Sequence, residues 1–263
     1  MNRFFRDKSF IVTGASSGIG RSLAMLLNRD GAKVTIMART KAKLEQLNNM
    51  SKSRLLVCQG DVTREQDCKQ AIQASIETFG KLDGLIHNAG VSMRAVAAET
   101  DIQTYRDLME VNFFSMIYLY QQALPFIEKT NGHIVAVSSM MGRYSTQERA
   151  GYNASKHALQ GFMDCIRLEN MDKGIHVMVA SPGFVKTNGS LNALTANGTP
   201  YGKMDDAIAA GLKPDQAAEI ILSAIKSRKR DVYPAGFREK LGFFLSKWAP
   251  GKLDKILVKS RVK

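Results

Sequence analysis

A chain of 263 residues with 44% hydrophobic and 23% charged residues has the length for a large buried core and a composition that argues against disorder. Three cysteines, Cys58, Cys68 and Cys165, lack metal-ligand or disulfide-framework spacing, so neither a metal site nor a disulfide scaffold is expected, and a reducing compartment is. The net charge of +13 is mostly a C-terminal feature, with twelve Lys/Arg against three Asp/Glu from Lys226 onward, and no nucleic-acid-binding pattern accompanies it.

Short apolar runs at 10–13, 34–38, 55–58, 84–87, 133–138 and 175–180 read as buried parallel strands. Amphipathic stretches at 20–29, 41–50, 64–79, 102–128 and 151–172 read as the helices between them. This alternation predicts an α/β fold, a doubly wound Rossmann sheet with helices on both faces, in a single domain over 1–235. A basic amphipathic helical extension over 236–263 follows.

The first strand runs into Gly14-Ala15-Ser16-Ser17-Gly18-Ile19-Gly20. Glycines at a strand-to-helix junction permit a tight turn and a close backbone approach to a pyrophosphate at the helix N-terminus. The second strand ends at Ala38, Arg39 and Thr40, where a dinucleotide fold meets the adenosine ribose. An arginine in place of an acid there favours a 2′-phosphate, hence NADP(H); the bland reading is a solvated arginine at a basic helix start. After the third strand, Asp61-Val62 either accepts from an adenine amino group or caps the next helix. Small residues at Asn88-Ala89-Gly90 let backbone lie against a nucleotide. His87 has no ligand partner at useful spacing and reads as structural.

Asn112 lies in a nearly all-apolar helical run, so its side chain must find a partner, either a water in a site or a core group. Ser139 ends the fifth strand, where a hydroxyl enters the crevice of an open sheet; with no adjacent base it suits a hydrogen-bond donor better than a nucleophile. Tyr152 and Lys156 are i and i+4 on one helix face, and an ammonium one turn away would pull a phenol's pKa of about 10 toward neutrality. Pro182-Gly183-Phe184-Val185-Lys186-Thr187 follows the sixth strand and can pass beneath a nicotinamide ring.

In this order and spacing, the Gly-rich turn, Asn88-Ala89-Gly90, Asn112, Ser139, Tyr152-x-x-x-Lys156 and Pro182-Gly183 resemble the short-chain dehydrogenase/reductase family over residues 8–235. The stretch 190–205 further resembles the subgroup around dehydrogenase/reductase member 7B. The resemblance implies Tyr152 exchanging a proton with a substrate oxygen and Lys156 lowering its pKa and holding the nicotinamide ribose. It implies Ser139 polarising the carbonyl and Asn112 retaining a relay water. The cofactor site it implies comprises Gly14, Ser16, Ser17, Gly18, Ile19, Gly20, Arg39, Thr40, Asp61, Val62, Asn88, Ala89, Gly90, Pro182, Gly183, Val185 and Thr187, with Tyr152 and Lys156. A homodimer or homotetramer is also implied. A non-catalytic dinucleotide sensor on the same fold is the rival reading.

The expected substrate is an apolar carbonyl or secondary alcohol met by Ser139, Met141, Tyr144, Tyr152 and Phe184, with Met93, Met140 and a lid over 188–212 as further candidates. Beyond Pro234, Phe237, Leu241, Phe244, Leu245 and Trp248 share one helix face, and Pro250-Gly251 breaks it before a second short face. Two fates compete for this extension: peripheral membrane contact, or packing on the body or a second subunit, with packing favoured. With neither a signal peptide nor an apolar run of about 20 residues, a cytoplasmic protein is expected, at most peripheral to a membrane.

Overall fold

The computed structural model describes residues 4–259. Its first half lays down β1 (Ser9–Thr13), α1 (Gly18–Arg29), β2 (Lys33–Ala38), α2 (Lys41–Asn49), β3 (Leu56–Gln59), α3 (Glu65–Phe79) and β4 (Gly84–His87). Then come α4 (Ile102–Met109), α5 (Ser115–Lys129), β5 (His133–Val137), α6 (Ala150–Glu169) and β6 (His176–Ala180). The last elements are α7 (Asp206–Ala209), α8 (Pro214–Lys226), β7 (Asp231–Val232), α9 (Phe237–Trp248) and α10 (Pro250–Lys259).

The strands form one parallel sheet in the order β3-β2-β1-β4-β5-β6-β7. Successive strand residues feed opposite faces, as the two-residue strand period requires. Phe10, Val12, Val135 and Val137 pack with Leu23 and Leu27 of α1, Leu44 of α2 and Ile221 of α8. Ile11, Ile134 and Ala136 pack with Ile72 of α3, Leu119 of α5 and Leu159 and Met163 of α6. The strand order reverses between β1 and β4, which opens a crevice at the C-terminal ends of the strands.

Three features differ from the sequence expectation. α8 and β7 were not anticipated: the buried face of α8 is half alanine (Ala217, Ala218, Ala224), a weak periodic signal, and β7 has only two residues. The single helix expected over 102–128 is two helices joined by a π-helical turn at Glu110–Phe114, a widening that places Asn112 at the buried side. The extension does form two helices; of the expected first face Phe237, Leu241, Phe244 and Trp248 are exposed and Leu245 is half-buried, while Leu253 of the second face is buried. Packing on the protein's own body therefore holds for part of the extension and not for that exposed row. The other side of α9, with Gly242 and Phe243, meets the body.

Candidate active site

A cleft of about 880 Å³ fills the crevice above the sheet. At one end, Gly14 and Gly18 adopt left-handed backbone, with φ of +64° and +55°, and no side chain caps the start of α1 at Ser17. A Cβ on Gly14 would sit 2.9 Å from Ala89 Cα, and one on Gly20 would sit 2.3 Å from Asn88 Nδ2 and 2.5 Å from the Gly14 carbonyl oxygen. Glycine is therefore dictated here by conformation and space. The uncapped amides at this helix start make an anion cradle suited to a pyrophosphate. Asn88 braces the turn, donating through Nδ2 to the Thr13 carbonyl at 3.0 Å, while Thr13 Oγ1 accepts from the backbone amides of Asn88 and Ala89.

Of the expected dinucleotide residues, Ser16, Ser17, Gly18, Ile19, Arg39, Thr40, Asp61, Val62, Ala89, Gly90, Pro182, Gly183, Val185 and Thr187 line the cleft together with Gly14 and Asn88. Gly20 does not; it supports the turn from behind. Arg39 and Thr40 are exposed, and Lys43 adds a second cation beside them. Asp61 Oδ1 accepts from the amide and hydroxyl of Thr63, both at 3.0 Å, so one carboxylate oxygen serves the turn before α3. Thr187 closes over the Gly-rich turn, its methyl 3.0 Å from where a Gly18 Cβ would lie.

At the other end, the first two turns of α6 present Tyr152 and Lys156 to the cleft. Lys156 is 3% exposed and its Nζ donates to the Val137 carbonyl at 3.1 Å; burial pulls its pKa down to about 8. Tyr152 keeps part of its surface open to the cleft but is densely surrounded by protein, and this desolvation raises its pKa. A hydrogen bond from Ser139 and the positive charge of Arg149 oppose that rise. Lys156, expected to act in the same direction, has its ammonium at the backbone of β5, 5.8 Å from the Tyr152 ring centre. Ser139 Oγ accepts from the Met141 amide at 3.1 Å, which leaves its proton free for the phenol oxygen.

Asn112 lies outside the cleft lining. Its Oδ1 accepts from the Val91 amide and its Nδ2 donates to the Val91 carbonyl and Ser155 Oγ, each at 2.9 Å. The side chain is thus a satisfied strut tying the loop after β4 to α6. Its Oδ1 and Lys156 Nζ crowd the space at Gly90, where a Cβ would lie 3.0 and 3.3 Å from them.

The sequence profile described as short chain dehydrogenase matches residues 8–197. The chain belongs to the short-chain dehydrogenase/reductase family. Within it, the chain falls in the subgroup of dehydrogenase/reductase SDR family member 7B. The Bos taurus protein of that name is 36% identical over 98% of this chain and 82% of its own length. The Drosophila melanogaster SDR family protein 7-like is 35% identical over 97% and 81%. Among solved structures, a Caenorhabditis elegans short-chain dehydrogenase/reductase of unknown function, crystallised with cofactor, superposes with a TM-score of 0.78 at 28% identity, covering 89% of this chain and 95% of that one. A 3-ketoacyl-(acyl-carrier-protein) reductase from Brucella melitensis, at 23% identity and a TM-score of 0.77, shares the fold.

The remaining walls of this dehydrogenase/reductase's cleft come from Met140, Met141, Tyr144, Phe184 and the lid. Met93, expected there, is fully buried, its sulfur accepting from the Gly151 amide; it belongs to the core. Burial pushes the Tyr144 phenol up to about 12. Two residues that sequence reading missed shape the site. Glu239 of α9 reaches back to accept from the Phe184 amide at 3.2 Å, and it lines the cleft. Arg149, 4% exposed beside Tyr152, donates to Asp205 Oδ2 at 2.6 Å and to Ser92 Oγ at 2.9 Å. Asp205 Oδ1 also accepts from Arg94 at 2.6 Å, so one buried carboxylate pins the lid between two arginines. Neither partner carries a sequence signal, because the residues lie far apart along the chain.

Proposed function

We propose that this dehydrogenase/reductase catalyses hydride exchange between NADP(H) and the carbonyl or secondary alcohol of an apolar small molecule. The observation that carries the reading is the convergence of Tyr152, Ser139 and Lys156 on one wall of a cleft whose far end holds the Gly-rich turn and Arg39. The Caenorhabditis elegans relative was crystallised with cofactor, and the Brucella melitensis reductase that shares the fold was crystallised with NADH, which supports a dinucleotide in this cleft. When bound, the nicotinamide supplies the hydride.

The chain's own groups supply the rest. Gly14, Gly18 and the uncapped amides of α1 receive the pyrophosphate, and Arg39 with Lys43 meets the 2′-phosphate. Before substrate enters, the Ser139 proton bonds the phenol and holds Tyr152 in place; once substrate is bound it turns to the substrate oxygen. Tyr152 gives the proton to that oxygen in reduction and takes it back in oxidation. With a pKa of about 8, Lys156 stays mainly charged at neutral pH, and its ammonium would hold the nicotinamide ribose. The apolar walls, Met141, Tyr144 and Phe184, select against charged substrates. Outward-facing Phe114, Leu168 and Met171 around α5 and α6 suit pairing of two copies there.

A panel of aldehydes and ketones, followed by loss of NADPH absorbance with NADH in parallel, tests the proposal. Turnover of apolar carbonyls with preference for NADPH is expected. Failure of every member of the panel together with no measurable NADPH binding would refute it.

A further inference from the structure

Helix α9 turns its apolar stripe the wrong way for a soluble protein. Its inner side meets the body: Glu239 accepts from the Phe184 amide, the Phe243 ring lies 5.2 Å from that of Tyr233, and a Cβ on Gly242 would stand 3.1 Å from the Tyr144 ring. On the opposite side, Phe237, Leu241, Phe244 and Trp248 recur at i, i+4, i+7 and i+11 and are 79%, 43%, 56% and 76% exposed. Four large apolar side chains in one open row mark an interaction surface. By helical spacing, Arg238 flanks the row on one side and Lys240 and Lys247 on the other. α10 follows with exposed Ile256 on the same side, by helical spacing, as Lys252, Lys255 and Lys259. Over α9 and α10 there are six basic residues and two acidic ones, and one of the acids, Glu239, points inward.

We propose that this face of α9 and α10 docks on an anionic phospholipid bilayer, with the Phe237–Trp248 row at the acyl boundary and the lysines at phosphate level. Helices of this kind lie in the membrane plane, their lysine stems along the apolar row and their ammonium groups in the headgroups. Charge favours this occupant over a second copy, since stacking two such faces would set lysines against lysines. Among the described residues no helix is long and apolar enough to cross a membrane, so contact through this face is peripheral. Glu239, Tyr144 and Phe184 line the cleft, so docking would bring its rim beside the lipid. Entry of a lipid-dissolved substrate by that route rests on the oxidoreductase reading above; docking itself does not.

Trp248 is the only tryptophan in the chain, so emission of the full-length protein reports on this face directly. The protein is titrated with phosphatidylcholine vesicles, with or without phosphatidylserine, in the absence of nucleotide and substrate. Phosphatidylserine vesicles should blue-shift the emission, brominated acyl chains should quench it, and the protein should co-sediment in a salt-sensitive manner. Phe244→Glu, and separately Lys240→Glu with Lys247→Glu, should each weaken vesicle binding about tenfold or more, with thermal unfolding and NADPH binding as in the parent. Unchanged emission without co-sedimentation would overturn the proposal. So would a blue shift in buffer that grows with protein concentration alongside dimers lost in Phe244→Glu, which would assign the face to a second copy. Because no turnover is measured, failure here leaves the catalytic reading untouched.

Discussion

Lys156 Nζ lies 5.8 Å from the centre of the Tyr152 ring and donates to the carbonyl of Val137 rather than to the phenol. The ammonium is therefore held by one backbone hydrogen bond in a site where desolvation brings its pKa down to about 8. Protonating it in that position costs free energy that the unfolded chain does not spend. The site is assembled at the expense of stability.

Lys156→Met should consequently be inactive but more stable. Relative to a free lysine at 10.5, a folded pKa of about 8 corresponds to a penalty of about 3 kcal/mol, present in full below pH 8. Losing the bond to Val137 returns about 1 kcal/mol of this, so the variant should gain about 2 kcal/mol at pH 7. The penalty fades as pH rises from 8 to 10.5, where the unfolded chain deprotonates too, and the gain should fade with it. Urea unfolding at pH 7 and pH 10.5, without nucleotide, checks this; a Met variant less stable at pH 7 contradicts it.

Arg39 should set cofactor choice. Replacing it by aspartate removes a charge-assisted contact to a 2′-phosphate, a loss of about 1.5–3 kcal/mol, and supplies an acceptor for a ribose hydroxyl. The ratio of kcat/KM for NADPH over NADH should fall by about ten- to a hundredfold. An unchanged ratio would mean that the exposed Arg39 is a solvated helix-start residue after all.

Asp205 should matter far more than its place in a loop suggests. It is 3% exposed and accepts from both Arg94 and Arg149, so Asp205→Asn leaves the buried Arg149 without a counter-charge and Arg94 with only the half-exposed Glu148. A loss of about 3 kcal/mol is expected, against less than about 1 kcal/mol for Glu148→Gln, whose pairing with Arg94 lies at the exposed end of the network. Thermal unfolding of the two variants distinguishes them; equal losses would show that the buried carboxylate does not anchor the lid.

Acid should weaken the fold before the carboxylates titrate. Burial holds His87 and His133 neutral, with pKa values near 3 against 6.5 for a free imidazole. Below pH 6.5 the unfolded chain takes up protons that the native state refuses, so stability falls as pH falls. The two residues together should remove about 3 kcal/mol between pH 7.5 and pH 5.5. Urea midpoints at those two pH values test this, and a flat profile would contradict it.

The strand-and-helix alternation was readable because each buried strand is a short apolar run and each helix from α1 to α6 carries a periodic face. The Gly-rich turn was readable because its glycines answer to local conformation. Arg149 was invisible because its meaning depends on Asp205, which only the folded lid brings near it. The π-helical turn around Asn112 left no trace in periodicity, since it shifts register by a single residue. The apolar row of α9 was visible, but periodicity says only that a helix has two sides; which side meets the body depends on Glu239, Gly242 and Phe243.

The central claim is that the phenol of Tyr152 moves the proton. Tyr152→Phe keeps the ring and removes only the hydroxyl, so single-turnover reduction of an apolar ketone by the pre-bound NADPH complex isolates that step. The rate should fall by about a hundred- to ten-thousandfold while NADPH affinity stays within about twofold of the parent. A variant that binds NADPH normally and reduces the ketone at the parent rate would contradict the account.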